Sequence, residues 1–311
     1  MLLPLGFLSS FLLNNFLKET YSSRKLELEK SIENLLDKNV DLGDYVGIRF
    51  LGISLGNSKI NDKKNIDSEI KAKNVYVGIM PFRSFLKQKW IVKISPQEAA
   101  INIDRDFFKR DESYKNDRIT KKSQSKYELN FNLNKYSDLK FNNAGLKTKV
   151  KGNVIYKSRN RQIIANVKSN FDEKGFLKFK FNTKLNQDFL KLDLFSKGLD
   201  LENSEYIIGN RKISFKEGTF KSNFKFYKSS KRTFCEGRFS FTNLKIKPED
   251  FAENINSDST RFFCKDNNLI GDSEKLNYGT LTSNFNLNVP LNKSSNNIDL
   301  KGSIGYINSL N

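Results

Sequence analysis

The 311-residue chain has no histidine, one tryptophan, two methionines and two cysteines. Without histidine it cannot build a Ser-His-Asp or Cys-His nucleophilic centre, nor any His-ligated metal site. Two thiols with no histidine partners are too few for a zinc site. Cys235 and Cys264 could pair in an oxidising compartment or sit as two isolated core thiols, and the sequence alone leaves both open. No P-loop or GxGxxG follows a strand pattern. Asp37, Asp41 and Asp44 lack the spacing of a calcium loop, and no carboxylate pair stands out as glycosidase machinery. The expectation is a protein that is not an enzyme and has no catalytic residues, metal or cofactor.

What the chain does have is phenylalanine and lysine. There are 27 Phe, and aromatics make up 13% of the chain. Hydrophobic residues are only 37% of the total, and the formal charge is +19. Such a balance suits strands with one apolar and one polar face. The charge invites a nucleic-acid reading, but Lys alternates with Phe and Leu in Leu177-Lys178-Phe179-Lys180-Phe181 and Phe224-Lys225-Phe226-Tyr227-Lys228. That places it on the solvent face of strands, where it also discourages edge-to-edge aggregation. No nucleic-acid partner is expected. A basic nucleic-acid-binding module and a soluble all-β binding or structural domain are the alternative functions.

Met1 to Leu17 carries no charge, and eleven of these seventeen residues are Leu, Phe or Met. A helix of that length spans about 26 Å, a little less than a ~30 Å hydrocarbon core. No basic residue precedes it and no small-residue cleavage site follows, so it reads as a membrane anchor rather than a signal peptide. The expected location is the inner (cytoplasmic) membrane, single-pass, with the body in the periplasm. Residues 18–38 then form an amphipathic helix, with Leu28, Ile32, Leu35 and Leu36 at i, i+4, i+7 and i+8. It is expected to cap the open end of the following sheet.

The body, 39–311, opens with Val40 to Ile60. Val46, Ile48 and Phe50 alternate with other residues, Ile53 and Leu55 resume the alternation, and Gly43, Gly47, Gly52 and Gly56 punctuate it. Period two marks strands, and glycines inside them mark bulges or bends. Asn61–Asn65 reads as a polar turn, Val75–Ile79 as a strand, and Met80–Leu86 as a short turn or helix with Pro81 at its start. Strands return at Trp90–Ile94 and Ala100–Ile103. Residues 105–126 hold eight basic and four acidic side chains, a long solvated loop. From Tyr127 onward, alternating segments are separated by Asn142–Gly145, Asp172–Gly175 and Glu217-Gly218, with a helical interruption at Pro248–Asn254. This is an antiparallel meander.

The fold class is therefore mainly β: a membrane helix and an amphipathic helix, then a long, curved, taco-like antiparallel β-groove, with a closed β-sandwich as the alternative. The apolar floor comprises Leu129, Phe131, Leu133, Phe179, Phe181, Leu190, Leu192, Leu194, Phe239 and Phe241, as the hydrophobic member of each alternation. A floor of this kind would hold phospholipid acyl chains, each buried methylene contributing ~0.8 kcal/mol.

The apolar N-terminus, Leu35-Leu36-Asp37-Lys38, Val40-Asp41-Leu42-Gly43 and Gly52-Ile53-Ser54-Leu55-Gly56 together resemble the start of the AsmA/TamB superfamily, in particular the TamB-type proteins of cyanobacteria and plastid envelopes. Val75-Tyr76-Val77 followed by Pro81-Phe82-Arg83-Ser84-Phe85-Leu86 resembles the family's second strand and short helix. Gly271-Asp272 and Gly302-Ser303-Ile304-Gly305-Tyr306 resemble its repeated strand segments. The resemblance implies a repeating β-groove attached to the inner membrane through the N-terminal helix. It implies a role in inter-membrane phospholipid transport or outer-membrane and envelope protein assembly. It also implies a BamA-like outer-membrane barrel as partner, reached through a C-terminal part that has no counterpart here; the chain reads as the N-terminal portion of a longer protein.

Overall fold

A computed structural model describes residues 3–65, 67–104, 127–141, 146–184, 187–208, 211–291 and 299–306. The expected basic loop at 105–126 and the turn at Asn142–Gly145 lie outside the described residues. The chain divides into two compact units, one formed by Met1–Asn142 with Ile155–Arg159 and the other by Asn143–Val154 with Asn160–Asn311.

The first unit begins with helix α1 (Leu3–Leu36). Then come strands β1 (Asn39–Asp41), β2 (Tyr45–Arg49), β3 (Gly52–Leu55), β4 (Ser58–Asn61), β5 (Glu69–Lys73) and β6 (Val75–Ile79). Helix α2 (Pro81–Lys87), β7 (Trp90–Ser95), β8 (Glu98–Ile103) and β9 (Tyr127–Phe141) complete it. The pairings form two antiparallel ladders, β2–β3–β6–β7 and β1–β4–β5–β8. Strand β9 runs parallel to both β7 and β8. Each pair of successive strands is thus one strand broken in the middle. Gly43 shows why the opening segment breaks where it does. A Cβ there would lie 2.4 Å from the Gly56 carbonyl carbon, so only glycine allows the two backbones to meet at the bend.

The expected pair of N-terminal segments is instead the single helix α1. The expected single-pass inner-membrane anchor is overturned as well: among the described residues no helix is long and apolar enough to cross a membrane. The uncharged run is too short for a hydrocarbon core, and Lys18 and Glu19 follow it directly. The helix lies along the β1–β2 edge. The Tyr45 hydroxyl donates to Asn14 Oδ1 at 2.8 Å, and the Tyr21 hydroxyl donates to the Gly43 carbonyl at 2.8 Å. The carboxylates of Glu29 and Glu33 accept the backbone N–H groups of Leu42 and Val40 at 2.9 and 3.0 Å.

The stripe that faces the sheet is therefore Tyr21, Lys25, Glu29 and Glu33. Of the expected apolar stripe, Leu28 is exposed, Ile32 is half-buried, and the side chains of Leu35 and Leu36 lie outside the described residues. An edge strand presents unpaired N–H groups, and side-chain acceptors satisfy them where a purely apolar stripe would not. Tyr21 is the apolar anchor, buried with Leu55 and Val75 and flanked by Tyr45, Ile53, Val77 and Ile94. At the C-terminal end of α1, buried Lys38 pairs with buried Asp62 at 3.0 Å.

The second unit holds β10 (Leu146–Lys157, through Val154 in this unit), β11 (Gln162–Asn170), β12 (Phe176–Lys184), β13 (Phe189–Asp200) and β14 (Ser204–Ile208). It continues with β15 (Arg211–Lys228), β16 (Thr233–Pro248), β17 (Ile255–Lys265), β18 (Asn268–Tyr278), β19 (Leu281–Pro290) and β20 (Asp299–Tyr306). Successive strands from β11 onward pair antiparallel, with β13 and β14 sharing one edge of β15. Among the described residues β20 pairs with β19 alone, so the sheet is open and the closed sandwich does not describe it. One expected break is absent: Glu217-Gly218 lies inside β15 as a bulge rather than a turn. The interruption expected at Pro248–Asn254 is present between β16 and β17 but is not helical.

Two tests follow from α1. Burial opposes ionisation of Asp62, yet the Lys64 N–H and the Lys38 ammonium hold its carboxyl below the usual range. Asp62→Asn removes the carboxylate that faces the buried Lys38 ammonium, and is expected to cost about 3–5 kcal/mol in urea unfolding; joint replacement by Lys38→Met and Asp62→Leu recovers most of that loss. Burial, reinforced by Glu29, Asp44 and Asp41, pushes the Tyr21 phenol up to about 12 from 10.0. Its proton is therefore held more tightly folded than unfolded, and that stability is present below pH 10 and lost as pH rises toward 12. Wild type should lose on the order of 2 kcal/mol more than Tyr21→Phe across that interval, read as the difference between two pH-dependent unfolding series.

Candidate functional site: the concave apolar face

Register decides which side chains share a face of the second unit. Phe179 lies opposite Leu194, Phe181 opposite Leu192 and Thr183 opposite Leu190. Leu192 and Leu194 lie opposite Phe226 and Phe224, which in turn face Cys235 and Gly237. Phe220 and Ser222 pair with Phe241 and Phe239, and Phe239 with Phe262. The face continues through Leu269 opposite Val289 and Gly271 opposite Leu287. One apolar surface thus runs unbroken from β11, where Val167 and Ala165 oppose Phe179 and Phe181, to β19. Phenylalanine rings meet along it: Phe239 stacks on Phe262 at 4.7 Å and meets Phe224 edge-on at 5.2 Å, and Phe220 lies 5.1 Å from Phe241.

A line of irregularities bends the sheet toward this face. Register shifts occur between Ser196 and Leu199, around Glu217 in β15, and between Ser273 and Leu276. A bulge bends its strand and increases the local twist. The residues on the apolar side of the bend are the buried ones: Ser196, Ser222, Ser257, Thr260 and Ser273, with Leu199 and Leu201. On the opposite side Lys197, Lys216, Lys221, Asp258 and Glu274 are exposed. The apolar face is therefore the concave one.

Small hydroxyl residues suit the bend because they fill little space and donate to nearby strand carbonyls. Ser196 donates to the Phe176 carbonyl at 2.8 Å and Ser222 to that of Leu194 at 3.3 Å. Ser257 lies 2.9 Å from Thr260 and 3.0 Å from Ser273 through their hydroxyl oxygens. Apart from Phe224, which is buried, the large apolar side chains away from the bend stay half-buried. Among the described residues this unit contains no α-helix to cover them.

The convex face carries the charge. Lys225 pairs with Glu236 at 3.1 Å and Arg261 with Asp272 at 2.8 Å, each directly across the ladder. Among the described residues no group of three or more Cys, Asp or Glu is placed to hold a metal ion.

Seven of the ten residues expected to form an apolar floor share this concave face: Phe179, Phe181, Leu190, Leu192, Leu194, Phe239 and Phe241. The other three, Leu129, Phe131 and Leu133, belong to β9 of the first unit. Leu129 lies beside Val92 and Phe131 beside Ile94, with Phe131 exposed. The buried residues of that stretch are Glu128 and Asn130, and Glu128 accepts from Lys89 at 2.5 Å. Phe220, Phe224, Phe226, Phe262 and Leu287 share the same face. The period-two run from Phe220 to Phe226 carried the signal for the first three.

Cys235 and Cys264 form a disulfide between β16 and β17, with Cα atoms 5.6 Å apart. Comparison with protein-family models, with curated proteins and with solved structures finds no match for this chain.

The bridge closes a loop of sequence separation 29. In the chain-entropy account such a loop is worth roughly 3–4 kcal/mol. Dithiothreitol, or Cys235→Ser, should lower the urea midpoint correspondingly, and reductant should have no further effect on the Cys235→Ser variant.

Proposed function

We propose that the concave face of the second unit holds hydrocarbon chains without catalysis, and that the protein serves phospholipid movement between membranes or envelope protein assembly. The observation that carries this reading is the continuity of the apolar face across the strands from β11 to β19, in a unit with no α-helix of its own among the described residues. A second layer normally buries such a face. An acyl chain lying along it would remove apolar area from water on both partners, at about 25 cal/mol per Å². The chemistry asked of the side chains is only shape and hydrophobicity, in keeping with a chain that lacks histidine. The same function is implied by the resemblance to the AsmA/TamB superfamily. A BamA-like barrel partner rests on that resemblance alone.

The test is native mass spectrometry of the chain from detergent-free bacterial extract, with extraction and identification of bound lipid. Several phospholipids per chain are expected. Phe179→Asp with Phe181→Asp should abolish them, while Lys178→Gln with Lys180→Gln, on the convex face, should retain them with an unchanged circular dichroism spectrum. A wild-type chain that is folded and free of lipid overturns the reading.

A further inference from the structure

One end of the first unit carries apolar side chains that the fold does not use. The β2–β3 hairpin turns at Phe50 and Leu51, and the Leu51 carbonyl accepts the Ile79 N–H at 2.9 Å. The Phe50 carbonyl accepts from the Tyr76 hydroxyl at 2.8 Å. The turn is thereby fixed beside the start of α2, and Trp90 opens β7 just after that helix. Phe50, Phe82, Phe85, Leu86 and Trp90 are 87%, 85%, 85%, 80% and 60% exposed. Helix α2 buries none of its residues and is tethered through its backbone and Ser84, whose Oγ accepts the Ile91 N–H at 3.0 Å. Its phenylalanines and leucine contribute nothing to packing.

Local preference points the same way. Leu51 has φ 60°, a left-handed conformation in a tight turn where Asn or Gly is favoured. Placing Phe-Leu there works against both turn chemistry and solubility, and departures of this kind gather at functional sites. The charges these two segments carry have one sign. Segments 45–58 and 78–93 carry Arg49, Arg83, Lys87, Lys89 and Lys93 and no acidic residue. Glu128 of β9 engages Lys89 at 2.5 Å and lies 3.9 Å from Lys87, while Arg49, Arg83 and Lys87 are themselves exposed.

We infer that this end of the first unit docks peripherally on an anionic lipid bilayer, with Phe50, Phe82, Phe85, Leu86 and Trp90 entering the headgroup–acyl boundary and Arg49, Arg83 and Lys87 meeting lipid phosphates. Aromatic and aliphatic side chains flanked by Lys and Arg are the pattern of interfacial insertion. Each side chain projects separately, which suits a deformable bilayer better than a partner needing a complementary rigid surface. Nothing crosses the membrane in this arrangement. The inference does not depend on lipid binding by the second unit.

Trp90 is the chain's only tryptophan and reports on this surface directly. The experiment titrates the full chain with vesicles of phosphatidylcholine alone and of an equal mixture with phosphatidylglycerol, reading tryptophan emission and co-sedimentation. The mixed vesicles should shift emission to the blue, with quenching by lipids brominated on the acyl chain, and phosphatidylcholine alone should give a much weaker response. Phe82→Ser, Phe85→Ser and Leu86→Ser together should weaken binding at least about a hundredfold. Arg83→Gln with Lys87→Gln should weaken it about tenfold or more. All of these side chains are exposed, so the thermal midpoint should hold. Lipid uptake by the second unit would leave Trp90 emission unchanged, so binding without an emission shift overturns the inference. It is equally overturned by absence of binding to the mixed vesicles. An emission shift that follows protein concentration without vesicles would assign the surface to a second copy instead.

Discussion

A single-layer sheet has to shelter one side of every strand without a second layer, and the second unit meets this constraint by bending. Its strands are too long to lie flat and dry. The row of bulges from β13 to β18 folds each strand over the apolar side, so residues beside the bend are buried while those farther out are only half covered. Beside the bend Ser196 and Ser222 donate from the concave side to strand carbonyls. Larger apolar residues at those positions would fill the crease. The concavity therefore depends on small polar residues, and the Phe and Leu side chains line a surface they do not create.

The first unit handles its sheet differently. Its edge strands are short and broken, and α1 lies along them with hydroxyl and carboxylate groups directed at backbone and side-chain partners. The helix works as a cover for hydrogen-bonding groups more than as a hydrophobic lid, with Tyr21 doing both. The buried Lys38–Asp62 pair fixes the junction where the helix hands over to β1. Breaking such a pair is costly because the remaining charge has no solvent to turn to, which gives this junction one geometry rather than several.

The distribution of charge follows from the same strand periodicity. Lysines that alternate with phenylalanine end up on the convex side, and cross-strand carboxylates neutralise part of them. Exposed pairs of this kind contribute little to stability. They do keep a large sheet soluble and discourage strand addition at its margins. The basic end of the first unit differs, because exposed cations such as Arg49 and Arg83 lie in the same segments as protruding aromatics, and Glu128 alone answers Lys87 and Lys89.

Much of the fold was legible in the sequence because period two is a local property. The run Leu190-Lys191-Leu192-Asp193-Leu194 assigns its own inside and outside, and residues such as Phe179 and Phe239 could be placed on a floor before any pairing was known. Glycine positions and the Pro81 helix start were readable for the same reason. The sequence could not show that Glu217-Gly218 is a bulge inside one strand, since a turn and a bulge draw on the same residues. Nor could it show that α1 turns Tyr21, Lys25, Glu29 and Glu33 toward the sheet, because that choice is made by the Val40 and Leu42 N–H groups, the Gly43 carbonyl and the Asp44 carboxylate of the neighbouring chain. Whether two cysteines meet, and whether Leu129 and Phe131 join the face that holds Phe179, depend on which strands become neighbours. The sequence by itself determined an alternation of apolar and basic side chains and, with no histidine, excluded histidine-based centres. Only the tertiary structure decided the direction of the bend, the bridge between Cys235 and Cys264, and the burial of the hydroxyl row, since each arises from contacts between strands far apart in the chain.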